Sequence, residues 1–380
     1  MRLVIVLCLL AISLNSCSES NMIFETQLFK NGKGNYACYR IPAIIQSAQG
    51  TLLAFAEGRK TSCNDFGNVD ILLRKSEDGG LHWTAMEVVA DFDELQAGNP
   101  APVVDLLDPR YPLGRIFLFF NTGDVSEHDM RLGKGTRDVH FTTSEDQGQT
   151  WSAPIKITNQ VHFNSTTILA ERDWRTNATT PGHALQFKKA PYRGRIYVPA
   201  NHSQGDPQEG FNEYRAYGFY TDDHGNSFQV SPDLATPSSN EAIGVELPDG
   251  SLMLNVREQN GLTKQRLVAL STTGGEQWDF EYFDNDLISP VCQSSLLLFE
   301  GNQDTLLLYS GPNSTNKREK MTVKASRDFG ETWSLEKESY SGTAAYSDLV
   351  QIDHKTIGLF YERDNEGIYF VRFPYSELNK

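Results

Sequence analysis

Ser144-Glu145-Asp146-Gln147-Gly148-Gln149-Thr150-Trp151 is one of five related octapeptides in this chain. Ser326-Arg327-Asp328-Phe329-Gly330-Glu331-Thr332-Trp333 repeats the pattern Ser-x-Asp-x-Gly-x-Thr-Trp in full. Ser76-Glu77-Asp78-Gly79-Gly80-Leu81-His82-Trp83 departs from it only at His82. Thr221–Phe228 is a degenerate copy, and Ser271–Trp278 has lost the aspartate. The chemistry of such a peptide is that of a hairpin corner. The Ser and Asp side chains accept hydrogen bonds from turn amides, glycine supplies a positive φ, and the aromatic residue anchors the corner in an apolar layer. The corners therefore read as structural. One Asp per copy gives too few oxygens for calcium.

A second repeat runs in phase with the first. Short apolar, β-branched runs begin at Gly50, Gly114, Gly194, Gly250, Asp304 and Lys355, and each of the first five precedes an octapeptide. Bounded by turn residues and too short for helices, they predict strands. Six strand-led units of roughly 60 residues, each able to hold four strands, predict an all-β, six-bladed β-propeller. No long amphipathic helix is expected.

The chain has 380 residues, 39% hydrophobic and 22% charged, which is ordinary globular composition. Its net charge of −15 argues against binding a nucleic-acid backbone, and at first sight against anionic ligands altogether. Met1-Arg2 precedes an apolar run, Leu3 to Leu14, too short to cross a bilayer and suited to a signal-peptide core over residues 1–16. Leu14-Asn15-Ser16-Cys17 resembles a bacterial lipoprotein processing site with Cys17 as the lipidated residue; plain cleavage and secretion is the alternative. Export to the periplasm, or display as an outer-membrane or cell-surface lipoprotein, is the expectation. Residues 17–26 read as a linker and 27–376 as one domain. Beyond Cys8 and Cys17 stand Cys38, Cys63 and Cys292, with no metal-type spacing. An exported chain could bridge Cys38 to Cys63, but free buried thiols are the favoured reading here.

Charge follows directly on three of the apolar runs, at Glu57-Gly58-Arg59, Arg257-Glu258 and Glu362-Arg363. Repeat symmetry would bring equivalent strand ends to one mouth. Tyr39-Arg40-Ile41-Pro42, Glu57-Gly58-Arg59, Asn240-Glu241 with Asn255-Val256-Arg257, Arg318-Glu319-Lys320-Met321, Ala345-Tyr346-Ser347-Asp348 and Leu359-Phe360-Tyr361-Glu362 form an ordered set of blocks. In these blocks, from about residue 30 to 373, the chain resembles the bacterial exo-sialidases, whose "Asp boxes" the octapeptides would be.

That resemblance implies a substrate, terminal sialic acid, whose anomeric carbon carries a carboxylate. Guanidinium forks suit a planar carboxylate, so Arg40, Arg257 and Arg318 become the gripping triad, with Glu362 orienting Arg40. An anionic nucleophile would be repelled at this carbon. Sialidases are exceptions to the two-carboxylate rule and use tyrosine, and Tyr346 matches that position. Its phenol needs a base, Glu241, and nearby guanidiniums would favour the phenolate. Asp65 is the acid that protonates the leaving oxygen and later activates water, a role suited to a raised pKa; Asp70 is its competitor, placed on an apolar strand. Arg59 would border the carboxylate or the 4-hydroxyl, and Gln293 the glycerol side chain. The implied protein is a monomeric retaining hydrolase acting on sialylated glycans without metal or organic cofactor. It meets a membrane only through Cys17. A trans-sialidase or intramolecular trans-sialidase would use the same residues. A propeller lectin would have no need of Tyr346, Glu241 and Asp65 together.

Overall fold

The computed structural model describes residues 22–163 and 172–379; the leader 1–16 and Cys17 lie outside the described residues. The fold is all-β. Among the described residues the longer of the two α-helices, Glu127–Arg131, has five residues. Each predicted apolar run forms a strand: Leu52–Arg59, Arg115–Gly123, Ile196–Gln204, Leu252–Glu258, Thr305–Pro312 and Thr356–Arg363. Each is flanked on both sides by antiparallel partners, as Leu52–Arg59 is by Cys38–Gln46 and Val69–Ser76. They are thus the second strands of their meanders, each preceded by another. Enclosed by a strand on either edge and packed on both faces, they are buried along nearly their whole length, which explains their unbroken apolar character. The inner layer, where successive meanders meet, is formed mostly by the strands preceding them: Cys38–Gln46 meets Gln96–Asp105 and Leu335–Gln351, and Ser239–Glu246 meets Ser295–Glu300 as well as Ile196–Gln204.

The two ends of the chain share a sheet, because Phe24–Lys30 pairs with Gly367–Pro374. The first strand therefore starts inside the stretch read as linker. The seventeen-residue strand Leu335–Gln351 pairs first with Glu319–Ser326 and then with Thr356–Arg363, its register breaking between Ala344 and Ser347. Near this crossing a fully buried carboxylate, Asp348, accepts from Ile44 N (2.8 Å), Ser295 Oγ (2.7 Å) and His183 Nδ1 (2.8 Å), tying four separate segments together.

The octapeptides form the expected corners and also weld neighbouring sheets. Ser144 Oγ accepts from Gly148 N (2.8 Å), and Asp146 Oδ1 from Gln149 N (3.0 Å) and Thr150 N (2.8 Å). In the copy without aspartate, Thr273 Oγ1 accepts from Gln277 N (2.8 Å) in its place. Trp83 packs edge-on to Phe370, 5.1 Å away, and Trp151 to Phe55, 5.8 Å away. Gly148 has φ +83°, and a Cβ there would lie 2.4 Å from Leu53 in the preceding meander, so both backbone and packing demand glycine.

Cys38 and Cys63 are joined by a disulfide, contrary to the free-thiol expectation; Cys292 is free and buried. The register places Cys38 opposite Arg59, so the chain need only turn back over four residues to bring Cys63 to it.

Candidate active site

Several of the residues that line one cleft sit on backbone irregularities. In the inner strands the register shifts between Arg40 and Ala43, Gly98 and Ala101, Ser239 and Ala242, and Ala344 and Ser347. A β-bulge re-aims side chains that a regular pleat would send into the sheet faces. These four bulges turn Arg40, Asn99, Glu241 and Tyr346 toward one cleft. Ile41 stands at φ +61°, an outlying conformation for a β-branched residue, followed by Pro42, which donates to no ladder. The Arg-Ile-Pro block is thus a bulge that frees Arg40 from the strand.

Arg40, Arg59, Asp65, Glu241, Arg257, Arg318 and Tyr346 all line this cleft. At its floor the Tyr346 hydroxyl donates to Glu241 Oε1 (2.6 Å) and accepts from Arg257 Nη1 (3.0 Å). Arg257 Nη1 also reaches Glu241 Oε2 (2.7 Å), which closes a triangle. The buried Nε of Arg257 has no partner among the described residues. The guanidiniums of Arg40 and Arg318 lie 5.0 Å and 5.7 Å from the Tyr346 ring centre. Glu362 sits behind Arg40, accepting from its Nε (3.2 Å) and Nη2 (3.1 Å) and from Ile41 N (2.7 Å). Arg318 Nη2 donates to the Val291 carbonyl (2.8 Å).

Burial and the Glu241 carboxylate push the Tyr346 phenol well above the ordinary tyrosine range, against the pull of Arg257, Arg40 and Arg318. The guanidiniums do favour the phenolate, as the sequence reading had it, but burial and Glu241 outweigh them. The phenol keeps its proton, already aimed at Glu241. Burial lowers Arg257 and Arg40, but Glu241 and Tyr346 around Arg257, and Glu362, Tyr346 and Asp65 around Arg40, together outweigh it and raise both guanidiniums. They stay charged at any working pH.

Asp65 stands at the rim with its side chain 80% exposed, bonded through Oδ1 to Arg59 Nη1 (2.8 Å) and Arg40 Nη1 (3.1 Å). Desolvation would raise its carboxyl, but Arg59 and Arg40 hold it below the usual carboxylate range. Asp70 is elsewhere, buried on Val69–Ser76 beneath Tyr36 and Lys60. Arg59 is fixed by Glu57 (2.8 and 3.0 Å), whose other oxygen accepts from Asn99 N (2.9 Å). Gln293 is not brought to the cleft. It is 2% exposed and spends its side chain on Pro181 O, Ser347 O and Ser347 N, bracing the backbone beside Tyr346.

Sequence reasoning missed much of the far wall, including Asn99, Glu127, Arg137, Asn201 and Gln259. Tyr214 is there too, its hydroxyl on Glu127 Oε1 (2.6 Å). Asn201 was accessible to the same logic that found the charges, since it lies near the end of Ile196–Gln204; searching those ends for charge alone passed it over.

Residues 50–360 match the BNR repeat-like domain family. The chain is 30% identical over 370 residues to a sialidase of Micromonospora viridifaciens, covering 92% of this chain and 53% of that protein. It is 30% identical to a sialidase of Bacteroides fragilis, covering 87% of this chain and 61% of that one, so it spans little more than half the length of these two relatives. With Sialidase-2 of Cricetulus griseus it shares 31% identity over 90% of this chain and 93% of the other. Among solved structures it superposes on the Hadza microbial sialidase Hz136 with a TM-score of 0.80 and 26% identity, over 90% of this chain and 67% of that one. The fold is a β-propeller carrying BNR-type repeats. The chain belongs to the sialidase family.

Proposed function

We propose that this chain is a retaining exo-α-sialidase. The observation that carries the reading is the Tyr346–Glu241–Arg257 triangle, set between Arg40 and Arg318 and faced by Asp65. Arg40, Arg257 and Arg318 grip the carboxylate of a terminal sialic acid, and Glu362 keeps the Arg40 fork aimed. As the anomeric bond stretches, Tyr346 gives its proton to Glu241 and its oxygen attacks the anomeric carbon. A nucleophile that is neutral until that moment avoids repulsion by the substrate carboxylate. Asp65 gives a proton to the departing oxygen, then takes one from the water that cleaves the glycosyl–tyrosine bond. Two inversions give net retention.

Asp65 begins ion-paired to Arg40, the residue the substrate carboxylate must claim. Binding therefore frees Asp65 from one cation and places an anion nearby. Both changes raise its pKa toward that of a working acid. The architecture is read as six four-stranded blades, the last completed by Phe24–Lys30 and the fifth and sixth sharing the long strand Leu335–Gln351. The chain is read as an exported lipoprotein held through Cys17, its domain acting as a monomer on sialylated glycans. The test is incubation with linkage-defined sialyllactoses, followed by NMR. Free sialic acid appearing first as its α-anomer is expected. An anhydro or transferred sugar would redirect the assignment to a trans-sialidase, and no release from any linkage would refute it.

A further inference from the structure

The Cys38–Cys63 disulfide joins the first strand of one meander to the segment that follows its second strand. Cys38, buried, opens the strand that carries Arg40. Cys63 precedes Asp65 by two residues in the segment between Leu52–Arg59 and Val69–Ser76. That segment is lightly held, with Thr61, Cys63, Asn64, Asp65 and Phe66 all exposed. Among the described residues, the polar contacts tying residues 61–67 to the body of the fold are Arg59 Nη1 to the Cys63 carbonyl (2.7 Å) and the Asp65 pairs with Arg59 and Arg40. The Arg40 pair is lost when a substrate carboxylate takes that guanidinium. The covalent link and the two Arg59 contacts then carry the restraint on Asp65, at the moment its position matters.

We infer that the Cys38–Cys63 disulfide is a positioning device for the acid: it holds Asp65 within reach of the glycosidic oxygen, and its reduction disarms leaving-group protonation while the arginine grip persists. This rests on the reading of Asp65 as the acid. Cys38 and Cys63 also line a second cavity, behind Arg40 and Arg318, so the bond is open to a small dithiol. Reduction breaks the S–S bond and takes two electrons and two protons from that dithiol, which closes to its own disulfide; Cys38 and Cys63 are left as thiols.

The experiment compares the oxidised protein, the dithiothreitol-reduced protein, the C38S/C63S double variant and D65N on two substrates. An aryl sialoside releases a phenolate that departs without a proton, whereas sialyllactose releases a sugar hydroxyl that needs one. A general acid contributes ~10²–10⁴-fold, so D65N should lose far more activity on sialyllactose than on the aryl sialoside. The reduced protein and C38S/C63S should show the same split, roughly tenfold or more in kcat, with KM and free sialic acid affinity unchanged. Reoxidation should restore the reduced protein. D65N without the split would refute the acid reading. D65N with the split, but equal losses on both substrates or none after disulfide removal, would overturn the positioning role. Should C38S/C63S not fold, the reversible reduction of the native protein decides alone.

Discussion

Replacing Glu362 with Gln probes how the cleft is held. Glu362 accepts two N–H groups of Arg40, at 3.1 and 3.2 Å, and the Ile41 amide at 2.7 Å. Its side chain is 7% exposed and that of Arg40 20%. The amide keeps the shape and can still accept from Ile41, but its NH₂ would face an Arg40 N–H, donor against donor. Breaking a buried pair from one side typically destabilises by ~3–5 kcal/mol. Water at Arg40 and its remaining pair with Asp65 place this case at the low end, about 3 kcal/mol. The freed guanidinium also loses its aim. Forfeiting one charge-assisted contact to the substrate carboxylate, worth ~1.5–3 kcal/mol, lowers kcat/KM about 10- to 150-fold. Because the carboxylate is present in ground and transition states alike, most of that loss should appear in KM. Urea denaturation at constant m-value and steady-state kinetics on an aryl sialoside measure the two effects. An unchanged midpoint together with unchanged kcat/KM would refute the view that Glu362 holds Arg40 for function.

Three further outcomes are expected. Arg59 and Arg40 hold the Asp65 carboxyl low, and a substrate carboxylate that claims Arg40 should relieve this. The acid acts protonated, so the basic limb of kcat should lie at higher pH than that of kcat/KM; coincident limbs in the two pH profiles would contradict the displacement. Gly148→Ala puts a Cβ 2.4 Å from Leu53 at φ +83°, and should destabilise by about 2–4 kcal/mol in chemical denaturation. A shift near zero would mean that the corner does not weld adjacent sheets. Arg257→Lys keeps a charge but cannot hold Glu241, Tyr346 and a substrate carboxylate together, so kcat/KM should fall about 10²-fold or more, with free sialic acid binding weakened in parallel by calorimetry.

The strand-led repeat was legible because second strands, enclosed in their sheets, must be apolar along their whole length. Charges at their ends stood out against that background, as at Arg257. The bulges that aim Arg40, Glu241 and Tyr346 carry no such signal, since one extra residue does not alter composition. Gln293 read as a ligand group because its block resembles one, whereas its amide is consumed by backbone around Ser347. The disulfide was misjudged from an odd cysteine count, when what decides it is the register that sets Cys38 against Arg59. The net charge of −15 misled in a similar way. A cleft that draws Arg40, Arg257 and Arg318 from separate strands and loops can bind an anion at short range whatever the global sum.

In the proposed reaction Tyr346 attacks the anomeric carbon with Glu241 as its base. A sialosyl fluoride bearing fluorine beside the anomeric carbon departs readily but hydrolyses slowly, so it should accumulate the intermediate. Peptide mass spectrometry of the trapped protein should find one sialosyl increment on the peptide containing Tyr346, absent in Tyr346→Phe and formed more slowly in Glu241→Gln. An increment on a carboxylate in the unmutated protein, or turnover of the same compound by Tyr346→Phe at the unmutated rate, would contradict it.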